Sequence, residues 1–529
     1  MAPEPFQVVE STFKAAATER NDVFTLSALA QLLADVGRND EAERLFERAL
    51  ACKSVDGISS DETRGLAMGW YAALVEGNGS DGAAKAERLY TGALGMNERD
   101  PLAMGNYAAF LHRIKRDHRA AAVAYKEAVE AHPAHASILC KYGGFVKHIE
   151  NNYSKAKELF EAAIAANPSH AESLGNLAVL LHGHPSNGGA VLDRIEDLYK
   201  RAVHADPANA NNFSNYGLFL AERRADVAGA EVLYKKAGAI DPFHANSIYN
   251  YAVLLDSSLK QQQRAEGMYR RCLEVNPEHS YALYNLAVLK EETMTNGDYT
   301  EVKLLFERAI KASPSDALTR ADYGRFLAQV DHDIPGAMEH LREAMRCDPD
   351  CSTAQFNLAK LLLRRHRSDQ SGDVGLSVTG GISRGSDDVR EAKDLLRRVI
   401  GNDREHTGAN LCLARVLAEE GDNIEAAKLC DSVLRGRCTD VEAMSDLAAV
   451  LGRKGGPTVV IQRADELLRR AASLAPTNAR ILEQQLTFLR DVARDKRASG
   501  TVAASLQSIL GNLGDRPQLK TEGARFSST

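Results

Sequence analysis

From Ala156 to Ala163 the chain sets Ala156, Phe160 and Ala163 among polar neighbours, and the same intervals return in Ala230, Tyr234, Ala237 and in Ala265, Tyr269, Cys272. Steps of four and three put three side chains on one side of an α-helix, so each set predicts an amphipathic helix with one buried stripe. A proline closes most copies: Pro168, Pro242 and Pro277 follow these three, Pro133, Pro207, Pro314, Pro349 and Pro476 stand in the same place elsewhere, and the copies at Ala28 to Leu50 and near Cys438 lack it. Proline lacks the N–H that a continuing helix needs. The first seven prolines are 35, 39, 35, 35, 37 and 35 residues apart. Beyond each, a second apolar stretch begins, such as "NLAVLL" from Asn176. One period therefore predicts two antiparallel helices that cross at small residues.

Such a pair cannot bury both of its faces alone, so neighbouring pairs must stack. The period and its residue types resemble the tetratricopeptide repeat family, whose first helix carries apolar and small positions and whose second carries Ala, aromatic, Ala, Pro. Leu286 and Ala287 fill the first-helix positions in one copy, Tyr251 and Ala252 in another. The tyrosine-phenylalanine pattern of "NYGLFL" is also similar to the half-a-tetratricopeptide repeats of RNA-processing scaffolds. The resemblance implies an all-α fold, a right-handed superhelical solenoid of about twelve helix-turn-helix repeats.

That solenoid is expected over residues 24–476, after an N-terminal segment 1–23 that is partly helical or disordered. Residues 477–512, with the amphipathic "ILEQQLTFLRDVARDK", are expected to cap it, and 513–529 to form a disordered tail. The Ser/Gly/Asp-rich stretch Arg367 to Asp388 reads as a mobile insertion, with Ser383 and Ser386 as candidates for modification.

An asparagine recurs once per period inside the first helix, as Asn106, Asn176, Asn215, Asn250, Asn285 and Asn357. Lys141 and Asp322 occupy the same register in two copies, and Asn211 and Asn246 stand four residues before Asn215 and Asn250. The family resemblance implies that this register faces the concave groove. Helix period agrees, because Leu286 and Ala287 turn into the pair and leave Asn285 on its flank. An amide carries one acceptor and two donors and can pair with the N–H and C=O of any extended peptide. At about 1 kcal/mol net for each bond, four or five would support binding near micromolar after ordering costs. Such an asparagine ladder is similar to that in the repeat domain of O-linked N-acetylglucosamine transferase. The same register admits a second role, in which each amide bonds a neighbouring repeat.

Charge refines the partner. Of 529 residues, 65 are basic and 72 acidic, a net −7, which argues against nucleic acid and anionic membranes as general partners. On that acidic background Arg113, Lys141, Lys147 and His148 are expected on the inner face of the early repeats, and Arg325, Lys360 and Arg364 on that of the later ones. They suit a protein or peptide partner with acidic stretches. The residues just before the register are Gly105, Cys140, Gly175, Ser214, Tyr249, Tyr284, Ala321 and Phe356. None is the lysine that the resemblance would require for clamping a chaperone's C-terminal carboxylate.

Catalytic and metal readings find little support. His135, His170, His244 and His279 each follow a repeat proline by two residues. Equivalent positions in stacked helices stand roughly 10 Å apart, too far to share an ion held at about 2 Å. They read as helix-start residues, and no cofactor is implied. No GK[ST], GxSxG or HExxH occurs in the sequence. The 8 cysteines form no CxxC pair, so reduced thiols in a cytoplasmic or nuclear compartment are expected. Cys272 and Cys430 fall at small buried positions, and Cys412 in the asparagine register. No run of about 18 apolar residues suggests a membrane span, and "MAPEPFQVVE" lacks the basic-then-apolar start of a secretory leader.

The functional expectation is a non-enzymatic scaffold that holds an extended peptide or partner protein. The alternatives are an RNA-associated scaffold, or a repeat subunit whose catalytic partner is another chain.

Overall fold

The computed structural model describes residues 4–20, 22–52, 60–183, 188–293, 298–371, 384–422, 424–429, 441–451, 458–491 and 502. All regular structure among them is helical, arranged as consecutive helix pairs. The chain forms two compact units, Met1–Val275 and Asn276–Thr529.

In the first unit an N-terminal helix, Glu4–Arg20, precedes seven pairs. Four of them carry the part of the asparagine register that follows Asn106: Ala136–His148 with Tyr153–Ala166, Ala171–His182 with Gly189–Ala205, Ala210–Phe219 with Val227–Ile240, and Ala245–Ser257 with Gln262–Val275. Pro101–Arg113 pairs with His118–Ala131 before them, and two pairs spanning Val23–Asp35 to Gly79–Met96 come earlier still. The second unit repeats the plan with Ser280–Thr293 and Thr300–Ala312, Ala317–Phe326 and Ile334–Cys347, and Ser352–Ser371 and Arg384–Asn402. Thr407–Glu420, Val441–Leu451, Thr458–Leu474 and Ala479–Asp491 follow.

The predicted stripes are the core. Ala156, Phe160 and Ala163 are all buried, as are Ala230, Tyr234, Ala237 and Ala265, Tyr269, Cys272. Facing rings continue the stripe across each pair: Tyr125 stacks on Tyr142 with centroids 5.4 Å apart, and Tyr199 on Tyr216 at 5.7 Å. Where the helices cross, the first helix offers glycine or alanine. A Cβ on Gly143 would stand 2.7 Å from the Phe160 ring, and one on Gly324 would stand 2.8 Å from Leu341 Cγ. Only a small side chain admits that approach.

At three of these prolines the backbone carbonyl at the turn accepts from an arginine of the next second helix. Arg201 donates to the Pro168 carbonyl at 3.1 Å, Arg271 to Pro242 at 3.2 Å and Arg308 to Pro277 at 2.9 Å. Between the helices of a pair, Arg116, Asn151, Ala225, Lys260 and His332 turn the chain with φ between 51° and 55°. Two of these turns follow a widened π-helical ending, Leu220–Arg224 and Leu327–Asp331.

Most of the positions two residues after a proline cap the following helix, although the His135 side chain makes no such bond. The Nδ1 atoms of His170, His244 and His279 accept from the backbone N–H of Ser173, Ser247 and Ala282 at 3.3, 3.2 and 3.2 Å. Asn209 and Asp316 do the same work in their repeats. Each imidazole thereby satisfies one of the donors that a helix start leaves open.

The expected insertion is shorter than its composition suggests. Helix continues to Ser371 and resumes at Arg384, leaving 372–383, with Ser383, outside the described residues. Asp388 is buried and receives Arg365 Nε at 2.7 Å, which anchors the returning helix. Where a cap is expected, helix Ala479–Asp491 buries Ile481, Leu482, Phe488 and Leu489. The remainder of 477–512 after 491, apart from 502, and the tail 513–529 lie outside the described residues, as do Cys430 and Cys438.

Candidate binding surface

Within the first unit the first helices of successive pairs pack side by side, from Pro101–Arg113 through Ala136–His148, Ala171–His182 and Ala210–Phe219 to Ala245–Ser257. A helix turns 100° per residue, so positions four before, three after and seven after the register share its face. On the wall these helices form, that face carries Ser137, Lys141, Gly144 and His148 in one helix and Asn211, Asn215, Leu218 and Glu222 in another.

The amides divide into two groups. Three bridge repeats: Asn106 accepts from the Lys141 ammonium, Asn176 Nδ2 donates to Cys140 Sγ at 3.4 Å, and Asn250 Nδ2 donates to Ser214 Oγ at 3.2 Å. In the last two, the partner stands one residue before the register of the preceding pair. Asn215 and Asn357, half-buried, and Asn211, exposed, make no hydrogen bond among the described residues. Asn285 is half-buried and Asn246 exposed. A bridging asparagine that donates once still has its carbonyl and a second N–H to offer.

Lys141 is the unusual member. Its ammonium is half-buried, and among the described residues no carboxylate lies within ion-pair distance of it. Desolvation holds its pKa below the ordinary lysine value, aided by Arg113 and opposed by Glu172. Burial pushes the Cys140 thiol beside it up to about 11.

The expected basic patches are more neutral than a charge count implies. Arg113 donates to Glu76 at 2.7 Å. Arg325 gives Glu291 a two-pronged bond at 2.7 and 2.8 Å and lies 3.6 Å from Asp322. Asp322 in turn receives the Tyr284 hydroxyl at 2.7 Å. The register thus holds a Tyr284–Asp322–Arg325–Glu291 chain in the second unit, and sequence reasoning missed it. The one available sign was the tyrosine preceding the register. Lys147 stands about 120° round its helix from Lys141, and burial lowers its pKa. His148, exposed, shares the register's face, as do Lys360 and Arg364. Lys360 lies 5.4 Å from the centre of the Phe356 ring, and neither it nor Arg364 forms an ion pair among the described residues.

The wall of side-by-side first helices, small crossings and proline-closed second helices repeats with the period read from the sequence, and residues 150–210 match a family model described as tetratricopeptide repeat. The chain resembles tetratricopeptide repeat proteins, and within 150–210 the family model itself matches. No curated protein matches the sequence. Among solved structures, a monomeric mutant of IFIT1 with m7Gppp-AAAA shares 14% identity over 78% of this chain and 90% of its own, with a TM-score of 0.45. Yeast Tom70 shares 15% over 86% and 98%, with a TM-score of 0.38. YrrB, a tetratricopeptide protein with an unusual peptide-binding site, shares 23% over 37% and 96%, with a TM-score of 0.28. Among the described residues, no three His, Cys, Asp or Glu side chains gather as metal ligands. No helix there is long and apolar enough to cross a membrane.

Proposed function

We propose that the chain is a protein-interaction scaffold whose first-helix wall receives an extended segment of a partner, with asparagine amides bonding the partner's backbone. The observation that carries this reading is the set of half-buried and exposed amides whose capacity the fold leaves over: Asn211 and Asn215 entire, and one N–H and the carbonyl of Asn176 and Asn250. A folded chain gains nothing from aligning such groups in one register across successive helices, whereas an extended peptide presents donors and acceptors at regular intervals. Lys141, desolvated and with no carboxylate within ion-pair distance among the described residues, adds a preference for an acidic group in that segment.

The test is panning of a random 12-residue phage-displayed peptide library on the full chain, followed by anisotropy titration of the selected peptides. Asn211→Ala with Asn215→Ala should weaken them about tenfold, as expected for one to two lost hydrogen bonds, with the melting temperature unchanged. Selected peptides that bind this variant as well as wild type would remove the reading. A 12-nucleotide single-stranded RNA measured in parallel, bound with a steep salt dependence, would favour the RNA-scaffold alternative.

A further inference from the structure

Besides Asp322 in the register itself, the second unit departs from the asparagine plan four residues earlier. Where the first unit has Asn211 and Asn246, it has Tyr281 and Leu318, which are 61% and 47% exposed. Between them lies a recess of about 310 Å³ walled by Tyr281, Tyr284 and Leu318, with Thr319, two serines and the Asp316 carboxylate completing its lining. Its nearby carboxylates are already engaged. Asp316 accepts from the Leu318 N–H at 3.1 Å and the Thr319 hydroxyl at 2.8 Å as a helix cap, and Asp322 receives Tyr284. A recess with tyrosine and leucine walls, hydroxyls at its edge and a carboxylate already committed to a helix cap favours an apolar side chain over an acidic one.

The adjoining first helix, Ser352–Ser371, packs on Ala317–Phe326 and carries Lys360 and Arg364 one turn apart on the register's face. Both are exposed and unpaired among the described residues, while Arg325 beside them is held by Glu291. Leu318 and Lys360 are separated by one helix spacing of about 10 Å sideways and by about seven residues, or about 10 Å, along the helix. The diagonal of about 14 Å is spanned by four or five residues of extended chain at about 3.3 Å each.

We propose that the second unit selects partner segments in which a bulky apolar residue enters the Tyr281–Leu318 recess and a carboxylate four or five positions away meets Lys360 and Arg364. This rests on the peptide-scaffold reading and gives it a specificity. The recess supplies buried area, and the cation pair fixes direction and register by charge complementarity.

A random 16-residue phage-displayed library panned on the full chain tests it, with the selected peptides titrated by fluorescence anisotropy. Enriched sequences should carry Leu, Phe, Ile or Met with Asp or Glu at the stated spacing. Leu318→Asp, and independently Tyr281→Ser, should weaken them at least tenfold, and both positions are exposed enough for the fold to persist. Lys360→Glu with Arg364→Glu should weaken them similarly, and repanning on that variant should replace the acidic residue by Lys or Arg. Enriched peptides that lack the pair, or that ignore these substitutions while losing affinity on Asn211→Ala with Asn215→Ala, would overturn this inference and leave the scaffold reading standing. No enrichment over a heat-denatured control would overturn both.

Discussion

Asn250 donates from its amide nitrogen to the Ser214 hydroxyl across a repeat boundary at 3.2 Å. The bond ties one register position to the residue just before the register of the preceding pair, and Asn176 with Cys140 repeats it one step away from Asn215. The two roles that an asparagine column admits are therefore divided along the chain. A neutral intramolecular hydrogen bond contributes about 1 kcal/mol net, so Asn250→Ala should lower stability by about that much, while Asn215→Ala should stay within about 0.5 kcal/mol of wild type. A urea-denaturation double-mutant cycle on Asn250→Ala and Ser214→Ala should return a coupling of about 0.5–1.5 kcal/mol. A coupling of zero would show that the pair does not bridge the repeats.

Gly143 tests the crossing geometry. A Cβ there would stand 2.7 Å from the Phe160 ring, and that ring is fully buried and cannot swing aside. Gly143→Val should destabilise by about 2–3 kcal/mol through overpacking. Gly144→Ala, one residue on and with nothing within 4 Å of the added carbon, should be neutral or stabilising. Thermal melts of the two variants should move in opposite directions or separate by several degrees.

The fold was legible because its information is periodic. Ala156, Phe160 and Ala163 announce a buried face, Pro168 ends it, and the same statement recurs through the chain. The candidate surface was legible only as a register. That Asn250 bonds a neighbour while Asn215 does not depends on whether Ser214 or a residue without a suitable group faces the amide, which is a matter of contacts between repeats. The histidines after the prolines were read as helix starts, but their role as caps needed the Nδ1 geometry. Arg325 and Arg113 read as free cations because Glu291 and Glu76 lie 34 and 37 residues away in sequence. The recess at Tyr281 and Leu318 escaped notice because each residue alone looks like an ordinary surface apolar group.

Ala225 and its equivalents offer a route to a more stable chain. Ala225 holds φ at +54°, in the left-handed region where a side chain meets the following carbonyl. Glycine adopts that region freely. Ala225→Gly should therefore raise stability by about 0.5–1 kcal/mol after the greater entropy of an unfolded glycine is subtracted. The melting temperature checks this, and a fall would mean that Ala225 makes a contact worth more than its strain.

The last prediction concerns pH. His279 is buried, its Nδ1 accepts the N–H of Ala282 at 3.2 Å, and burial lowers its pKa. Protonation would replace that acceptor with a donor and place a positive charge at a helix start, where the helix dipole disfavours it. His112, His135, His148, His182 and His340 are also shifted down, each chiefly by burial. The sign is the same for all of them: the unfolded chain takes up protons first, as pH falls below about 6.5. Stability is therefore fully present above that pH and declines as it falls toward the folded-state values. The melting temperature should hold between pH 7 and 8 and drop by pH 5.5. His279→Asn should keep the cap, as Asn209 does with the N–H of Asn212 at 3.3 Å, but remove its titration. Its melting temperature at pH 7.5 should match wild type, and its drop on acidification should be smaller. An undiminished drop would assign the acid sensitivity to the other shifted histidines and away from this cap.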